Sequence, residues 1–180
     1  NAYCISKLYA DWTTDGAKTA HSEALTEENV LTVFDEMMKD MDNKRVPRAG
    51  RILYVTPDVR TLINNAKQIY RTVDVGSRSD AIKRAINSID DVKIPESVPS
   101  DMMQTKYDFT EGWNVDSTAK QINMVLVHPM AVITPISYEF AQLDPPSAGS
   151  QGKYDYFEES FEDVFILPHK MDAIDIHVSV

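Results

Sequence analysis

Two short, nearly continuous apolar runs, Arg51–Thr56 (Arg-Ile-Leu-Tyr-Val-Thr) and Ile122–Val127, constrain this chain more than any other feature. Runs of this length without polar alternation belong to strands covered on both faces, and such strands need a packed layer on each side. Both are expected to be buried strands. Helical patterns flank the first. Val30, Phe34, Met37 and Met41 recur at helical spacing, with Leu31 and Met38 widening the stripe. Thr26 is placed to cap this helix, and Glu27 and Glu28 sit where the positive end of the dipole favours anions. Asn43 and Pro47 supply the stop. Thr56-Pro57-Asp58 then opens a second helix with Val59, Leu62, Ile63 and Ala66 as its apolar positions. Pro57 falls in the first turn, where a missing N–H costs nothing. The predicted unit is helix, strand, helix.

Elsewhere the pattern is less decisive. Residues 2–10 read as a helix, already amphipathic at the start of the chain as if a longer helix had been entered partway, and Asp11–Ser22 reads as a loop. Asp80–Ile94 fits a helix through Ile82, Ala85, Ile86 and Ile89, or two strands around Asp90-Asp91; periodicity leaves both open. Pro95 and Pro99 bracket an extended segment, and Phe109–Asn114 reads as an exposed loop with two aromatics. After Val127 the chain turns at His128-Pro129 into Ala131–Ile136, and Ile122–Val127 and Ala131–Ile136 are expected to be central strands. Residues 144–153 concentrate turn formers and read as a linker or surface loop. Tyr154–Leu167 and Ala173–Val180 read as strands joined by a turn at Pro168–Asp172. The expected class is α+β.

With 180 residues, 43% of them hydrophobic, the chain is long enough to bury a core in one large or two small domains. No apolar stretch approaches the roughly 18 residues of a membrane span. The single cysteine, Cys4, excludes an intramolecular disulfide and a thiolate-rich metal cluster. A net charge of -10 argues against uniform attraction to DNA or an anionic membrane. The charge is divided, however. Residues 44–106 hold 12 of the 18 Lys and Arg against 7 acids, a net of +5, which leaves -15 for the rest. A subunit positive in its middle and negative at its ends can associate head to tail with copies of itself.

Sites for chemistry are scarce. His21, His128, His169 and His177 form neither an HExxH spacing nor a pair one helical turn apart, so no metal site is assigned to them. His128, between a buried strand and Pro129, reads as a turn residue satisfied by backbone groups. No GxSxG elbow or activated cysteine context is present, and Gly76-Ser77-Arg78-Ser79 lacks the Gly-Lys-Ser/Thr of a phosphate loop. The acids Asp155, Glu158, Glu159, Glu162 and Asp163 match no EF-hand loop. On a strand, Phe157, Phe161 and Phe165 would point one way and Glu158 and Glu162 the other, making a solvated or subunit-facing surface. The basic group Lys44, Arg45, Arg48 and Arg51 fits helix-dipole partners or rim contacts better than a phosphate site. No catalytic residue, cofactor or metal ligand is therefore expected. On exposure and charge, Arg45, Arg48, Phe109, Trp113, Glu159 and Glu162 are the candidate subunit-interface residues.

Several segments, taken in order, carry a resemblance. They are Gly50–Pro57, then Ser88–Val92 leading to Val98–Met103, then Tyr107-Asp108-Phe109, Val127–Val132 and Phe161–Leu167. In this order the chain resembles the C-terminal part of a tailed-bacteriophage major capsid protein, whose fold is also found in herpesvirus capsids. The resemblance implies an axial domain over residues 25–135 and part of a peripheral domain over 1–24 and 136–180. It also implies that Ile82–Ile94 is a strand hairpin. The family's N-terminal arm, extended loop and most of its spine helix are unmatched, so a fragment of a longer polypeptide is expected. The function implied is that of a non-enzymatic structural subunit, made in the bacterial host cytoplasm. It would assemble with copies of itself, as hexamers and pentamers, into an icosahedral virion shell around double-stranded DNA. That DNA would be held without sequence-specific binding. A scaffolding protein and a portal are further candidate partners, and no membrane is involved. Two alternatives stay open: a soluble α/β enzyme or ligand-binding domain with acids and histidines converging in one pocket, and a phage tail or adaptor module.

Overall fold

A computed structural model describes residues 2–66, 86–110 and 112–180. In chain order the elements are α1 (Ala2–Thr14), α2 (Val30–Asn43), β1 (Ile52–Val55), α3 (Pro57–Asn65), β2 (Ser88–Ile89) and β3 (Val92–Lys93). There follow β4 (Tyr107–Asp108), β5 (Asn114–Val115), β6 (Ile122–Val127), β7 (Val132–Ile133), β8 (Ile136–Asp144), β9 (Asp155–Glu162), β10 (Phe165–Ile166) and β11 (Ile174–Val178). The class is α+β, as expected.

The centre is a five-stranded sheet in the order β11-β6-β1-β3-β2, antiparallel except for the β1–β3 pair. Side chains alternate across it. Leu53, Val55, Met124 and Leu126 face one layer, where α2 supplies Val30, Phe34, Met37 and Met41 and α3 supplies Val59 and Ile63. Val125, Val127, Ile174 and Ile176 face the other, with Trp12 of α1, Met103 and Ala131. Full burial of each of these large side chains contributes roughly 1.5–3 kcal/mol. Ile122–Val127 is the central strand expected, whereas Ala131–Ile136 is not: only Val132–Ile133 is extended as β7, paired with β10 outside this sheet, and Ile136 opens β8. Arg51–Thr56 is present as Ile52–Val55, fully covered only on the α2/α3 side. Its other side carries Tyr54, 37% exposed over an apolar cleft.

Local chemistry explains the helix ends. The Thr26 hydroxyl accepts from the amides of Glu28 and Asn29, while Asn29 Oδ1 accepts from the Thr26 amide at 2.7 Å. This reciprocal cap closes one turn, and the regular helix runs from Val30, three residues later than the N-cap reading implies. At the other end the Val46 amide reaches Met41 O and the Arg45 amide reaches Asp42 O, with Arg45 at φ 60. This is a Schellman stop with arginine where glycine is favoured. α3 begins as expected, with Thr56 Oγ1 accepting from the Val59 amide and Pro57 in the first turn.

Three readings change. The segment Asp11–Ser22 is not all loop, because α1 runs on to Thr14. Trp12 is buried against the sheet and its Nε1 donates to Ile174 O at 3.0 Å, a tertiary contact that outweighs the polar local sequence. The ambiguous Asp80–Ile94 segment resolves over Ser88–Lys93 as a hairpin, with both Asp90 and Asp91 at positive φ as a two-residue turn requires. Ile82 and Ala85, like Gly76-Ser77-Arg78-Ser79, lie outside the described residues. Finally, Tyr154–Leu167 is two strands, β9 paired with β8 and β10 paired with β7. The expected loop at 144–153 is the tip between β8 and β9, which spans 145–154, Asp144 still pairing with Asp155.

A division into 25–135 against 1–24 with 136–180 would cut the central sheet between β6 and β11. The part of the second set that stands apart is the β8–β9 hairpin, whose residues belong to neither core.

Candidate assembly surface

The hairpin is the most exposed structure in the described chain. β8 has nine residues and β9 eight, and every one is solvent-exposed except half-buried Glu159. Register sets its faces. Tyr138 pairs with Phe161, Phe140 with Glu159 and Gln142 with Phe157, after an irregularity between Ile136 and Tyr138. One face therefore carries Tyr138, Phe140, Phe157 and Phe161 in mutual ring contact at 5.8–6.5 Å between centroids. The expectation that Phe157 and Phe161 oppose Glu158 and Glu162 holds on this strand. Glu159, however, sits on the aromatic face opposite Phe140. Phe165, grouped with these phenylalanines in the sequence reading, belongs to β10, where its ring lies 5.4 Å from Lys7 Nζ.

Two-stranded ribbons are marginal alone in water and gain stability by packing on something else. Exposed contiguous aromatics mark interaction surfaces. Residues 136–162 also hold six Asp and Glu against one Lys, so the surface is acidic as well as aromatic.

A second aromatic group lies at the β4–β5 turn. Phe109 meets Tyr3 of α1 edge-on at 5.9 Å and Tyr107 at 5.8 Å, and Trp113 meets Tyr107 at 6.0 Å. The loop is thus anchored to the N-terminal helix, yet Phe109 and Trp113 remain 46% and 45% exposed.

The basic group divides. Arg45 and Arg48 are exposed at the end of α2, and Arg48 is ion-paired with Asp42. Arg51 is fully buried instead: it donates to Asp42 Oδ1 and to the carbonyls of Met38, Val46 and Pro47, tying the α2 end to the start of β1. Of the six candidate interface residues, Phe109 and Trp113 lie in one cluster, Glu159 and Glu162 on one strand, and Arg45 and Arg48 on one turn. The structure gathers them as three pairs, not as one patch.

The histidines are placed as follows. His128 Nδ1 accepts from the Met130 amide at 3.2 Å and its Nε2 lies 3.1 Å from Ala49 O, the backbone-satisfied turn role expected of it. His21 and His177, 156 residues apart in sequence, lie side by side. The chain after α1 adds to the edge of β11, with the His21 amide on Ile176 O and the Val178 amide on His21 O. His21 Nε2 is 3.3 Å from Asp175 Oδ2 and 3.7 Å from Asp40 Oδ2. The hydrogen bond that the His21 imidazole donates to the Asp175 carboxylate raises the His21 pKa above its ordinary value despite partial burial, while burial pushes His177 down. Sequence reading missed this group, because its members come from three segments and no local spacing announces them.

Two clefts are relevant to the alternatives. One of about 440 Å³ between α1 and the sheet is lined by Cys4, Ile5, Leu8, Tyr54, Val125 and Val164, with their apolar neighbours. The other, about 320 Å³, holds His21, Asp40, Asp172 and Asp175. No helix among the described residues is long and apolar enough to cross a membrane.

No protein-family profile matches the sequence, and no curated protein matches it. Among solved structures the fold is similar to a chain in the asymmetric unit of the bacteriophage PhiM1 mature capsid, with a TM-score of 0.62 and 16% identity. The likeness covers 89% of this chain and 51% of that one, so this chain spans about half the length of its structural neighbour. At this identity the likeness is one of architecture, and it agrees with the resemblance drawn from the residues: the chain has the α+β fold of a bacteriophage capsid subunit.

Proposed function

We propose that this chain is part of a structural subunit that associates with copies of itself into an icosahedral bacteriophage shell enclosing double-stranded DNA. The capsid fold over 89% of the chain carries the reading, and the exposed acidic and aromatic hairpin supports it. The mechanism is geometric. Shape- and charge-complementary contacts, repeated by near-symmetry in hexamers and pentamers, close a volume, and no catalysis or cofactor is required. An acidic subunit need not hold the packaged genome tightly. Arg45, Arg48, Phe109, Trp113, Glu159 and Glu162 are the proposed contact residues. Residues 25–135 together with β11, which pairs with β6 in the same sheet, are the proposed axial domain, and the rest of 1–24 and 136–180 is part of a peripheral one. A scaffolding protein and a portal are the further partners of this reading, the subunit being made in the host cytoplasm and ending in the virion.

The test is electron microscopy of the full-length product, expressed alone and with its neighbouring genes. Closed particles of uniform size support the proposal. Monodisperse monomers under both conditions overturn it. One observation favours a second reading, a soluble enzyme or ligand-binding domain: the convergence of His21, Asp40 and Asp175 in a cleft. Monomers with a turnover activity lost in a His21→Gln variant would select it.

A further inference from the structure

We propose that His21, Asp40 and Asp175 form a binding site for a divalent transition-metal ion of the zinc type. The site is independent of the capsid reading. Its donor set is one imidazole nitrogen and two carboxylate oxygens, drawn from the segment after α1, from α2 and from β11. Three protein ligands with a position left open to solvent is a common zinc arrangement.

The spacing supports coordination. His21 Nε2 lies 3.3 Å from Asp175 Oδ2 and 3.7 Å from Asp40 Oδ2, both beyond the usual optimum for a charged hydrogen bond. With metal–nitrogen and metal–oxygen bonds near 2.0 and 2.1 Å, the edge of a tetrahedron is about 3.3 Å. The Asp175 pair already has that length. Asp40 is 61% exposed, so its side chain can close the remaining few tenths of an ångström.

The other groups are pre-positioned. His21 is fixed by backbone hydrogen bonds on both sides to β11. Asp175 is about nine-tenths buried, and its Oδ1 accepts from the Ile176 amide at 2.9 Å, leaving Oδ2 facing the imidazole. Glu23 and Glu36 bring two further carboxylates near the same ring. The resulting negative field favours a cation. The cleft above the group, about 320 Å³, admits solvent to the open position. An imidazole donor selects zinc, cobalt or nickel over magnesium or calcium. A bound ion would clip the N-terminal segment, α2 and the sheet edge together.

The test is titration of the purified chain with Zn²⁺ and Co²⁺ at neutral pH, read by calorimetry, thermal unfolding and, for Co²⁺, visible absorption. Saturation near one equivalent, a raised melting temperature and the visible bands of low-coordinate cobalt are expected. Asp40→Asn, at an exposed position, should weaken binding at least about tenfold, the lower end of what losing even a supporting group costs. His21→Gln should abolish it, and His169→Gln should leave it unchanged. Absence of saturable binding of either ion would overturn the proposal and leave His21 as a salt-bridged imidazolium. Equal binding by the wild type and Asp40→Asn would overturn it as well, as would a preference for Mg²⁺ or Ca²⁺.

Discussion

The guanidinium of Arg51, with none of its surface exposed, donates from Nη2 to Asp42 Oδ1 at 2.7 Å, and Asp42 also receives Arg48 from the solvent side. One carboxylate thus couples a buried cation to an exposed one at the junction of α2 and β1. Removing one partner of a buried pair strands the other without compensation. Asp42 is partly exposed, which moderates the loss. Asp42→Ala is expected to cost about 2 kcal/mol and Arg51→Lys a similar amount, since a single ammonium cannot reach the carbonyls of Met38, Val46 and Pro47 together. Urea unfolding of each variant checks this.

The same contact sets an acid dependence. Hydrogen bonds from Arg48 and Arg51 hold the Asp42 carboxyl below its ordinary pKa. A depressed carboxylate contributes fully above its unfolded pKa, near 4, and the contribution is lost as pH falls through the lower folded value. The stability gap between wild type and Asp42→Asn should therefore be constant at neutral pH and narrow below about pH 4. A gap unchanged down to pH 2 would contradict this.

Arg45 at φ 60 occupies the left-handed position of the α2 stop. An L side chain pays there for a conformation glycine adopts freely, so Arg45→Gly is expected to raise stability by about 1 kcal/mol, read as a higher melting temperature. If Arg45 is also a subunit contact, the same variant will assemble less well while folding better, a separation that a purely structural residue would not show.

Which parts of this architecture were legible follows from where their determinants lie. The unit from α2 through β1 to α3 was readable because each signal is local: methionines at helical spacing, an apolar tetrapeptide, Thr56 before Pro57. The cap at Thr26 is equally local, and Thr26→Ala should cost about 1 kcal/mol in unfolding experiments. The end of α1 was not readable, because Trp12 is held by Ile174 across nearly the whole chain. The Asp90-Asp91 turn lacks a local mark for a different reason: it uses positive φ without the glycine that usually signals it. His21, Asp40 and Asp175 meet only through sheet topology, so no spacing could reveal them. The β9 faces were half legible, since alternation separates Phe157 from Glu158 but does not say that β8 places Phe140 across from Glu159.

That cross-strand relationship yields the last prediction. Phe140 and Phe157 pack ring to ring at 6.0 Å on a ribbon that touches neither core, so their removal leaves both cores intact. The double variant Phe140→Ser with Phe157→Ser should leave the unfolding free energy of the central domain within about 0.5 kcal/mol of wild type, as surface substitutions do. Particle formation by the full-length protein should fall sharply, because a desolvated aromatic cluster is where interface energy concentrates. Glu159→Gln, on the same face, should also lower particle formation but less than the serine pair, since it removes one charge-complementary contact and leaves the rings in place. Normal particles from the serine double variant, counted by microscopy beside wild type, would show that the aromatic face of β8 and β9 is not the surface through which neighbouring subunits meet.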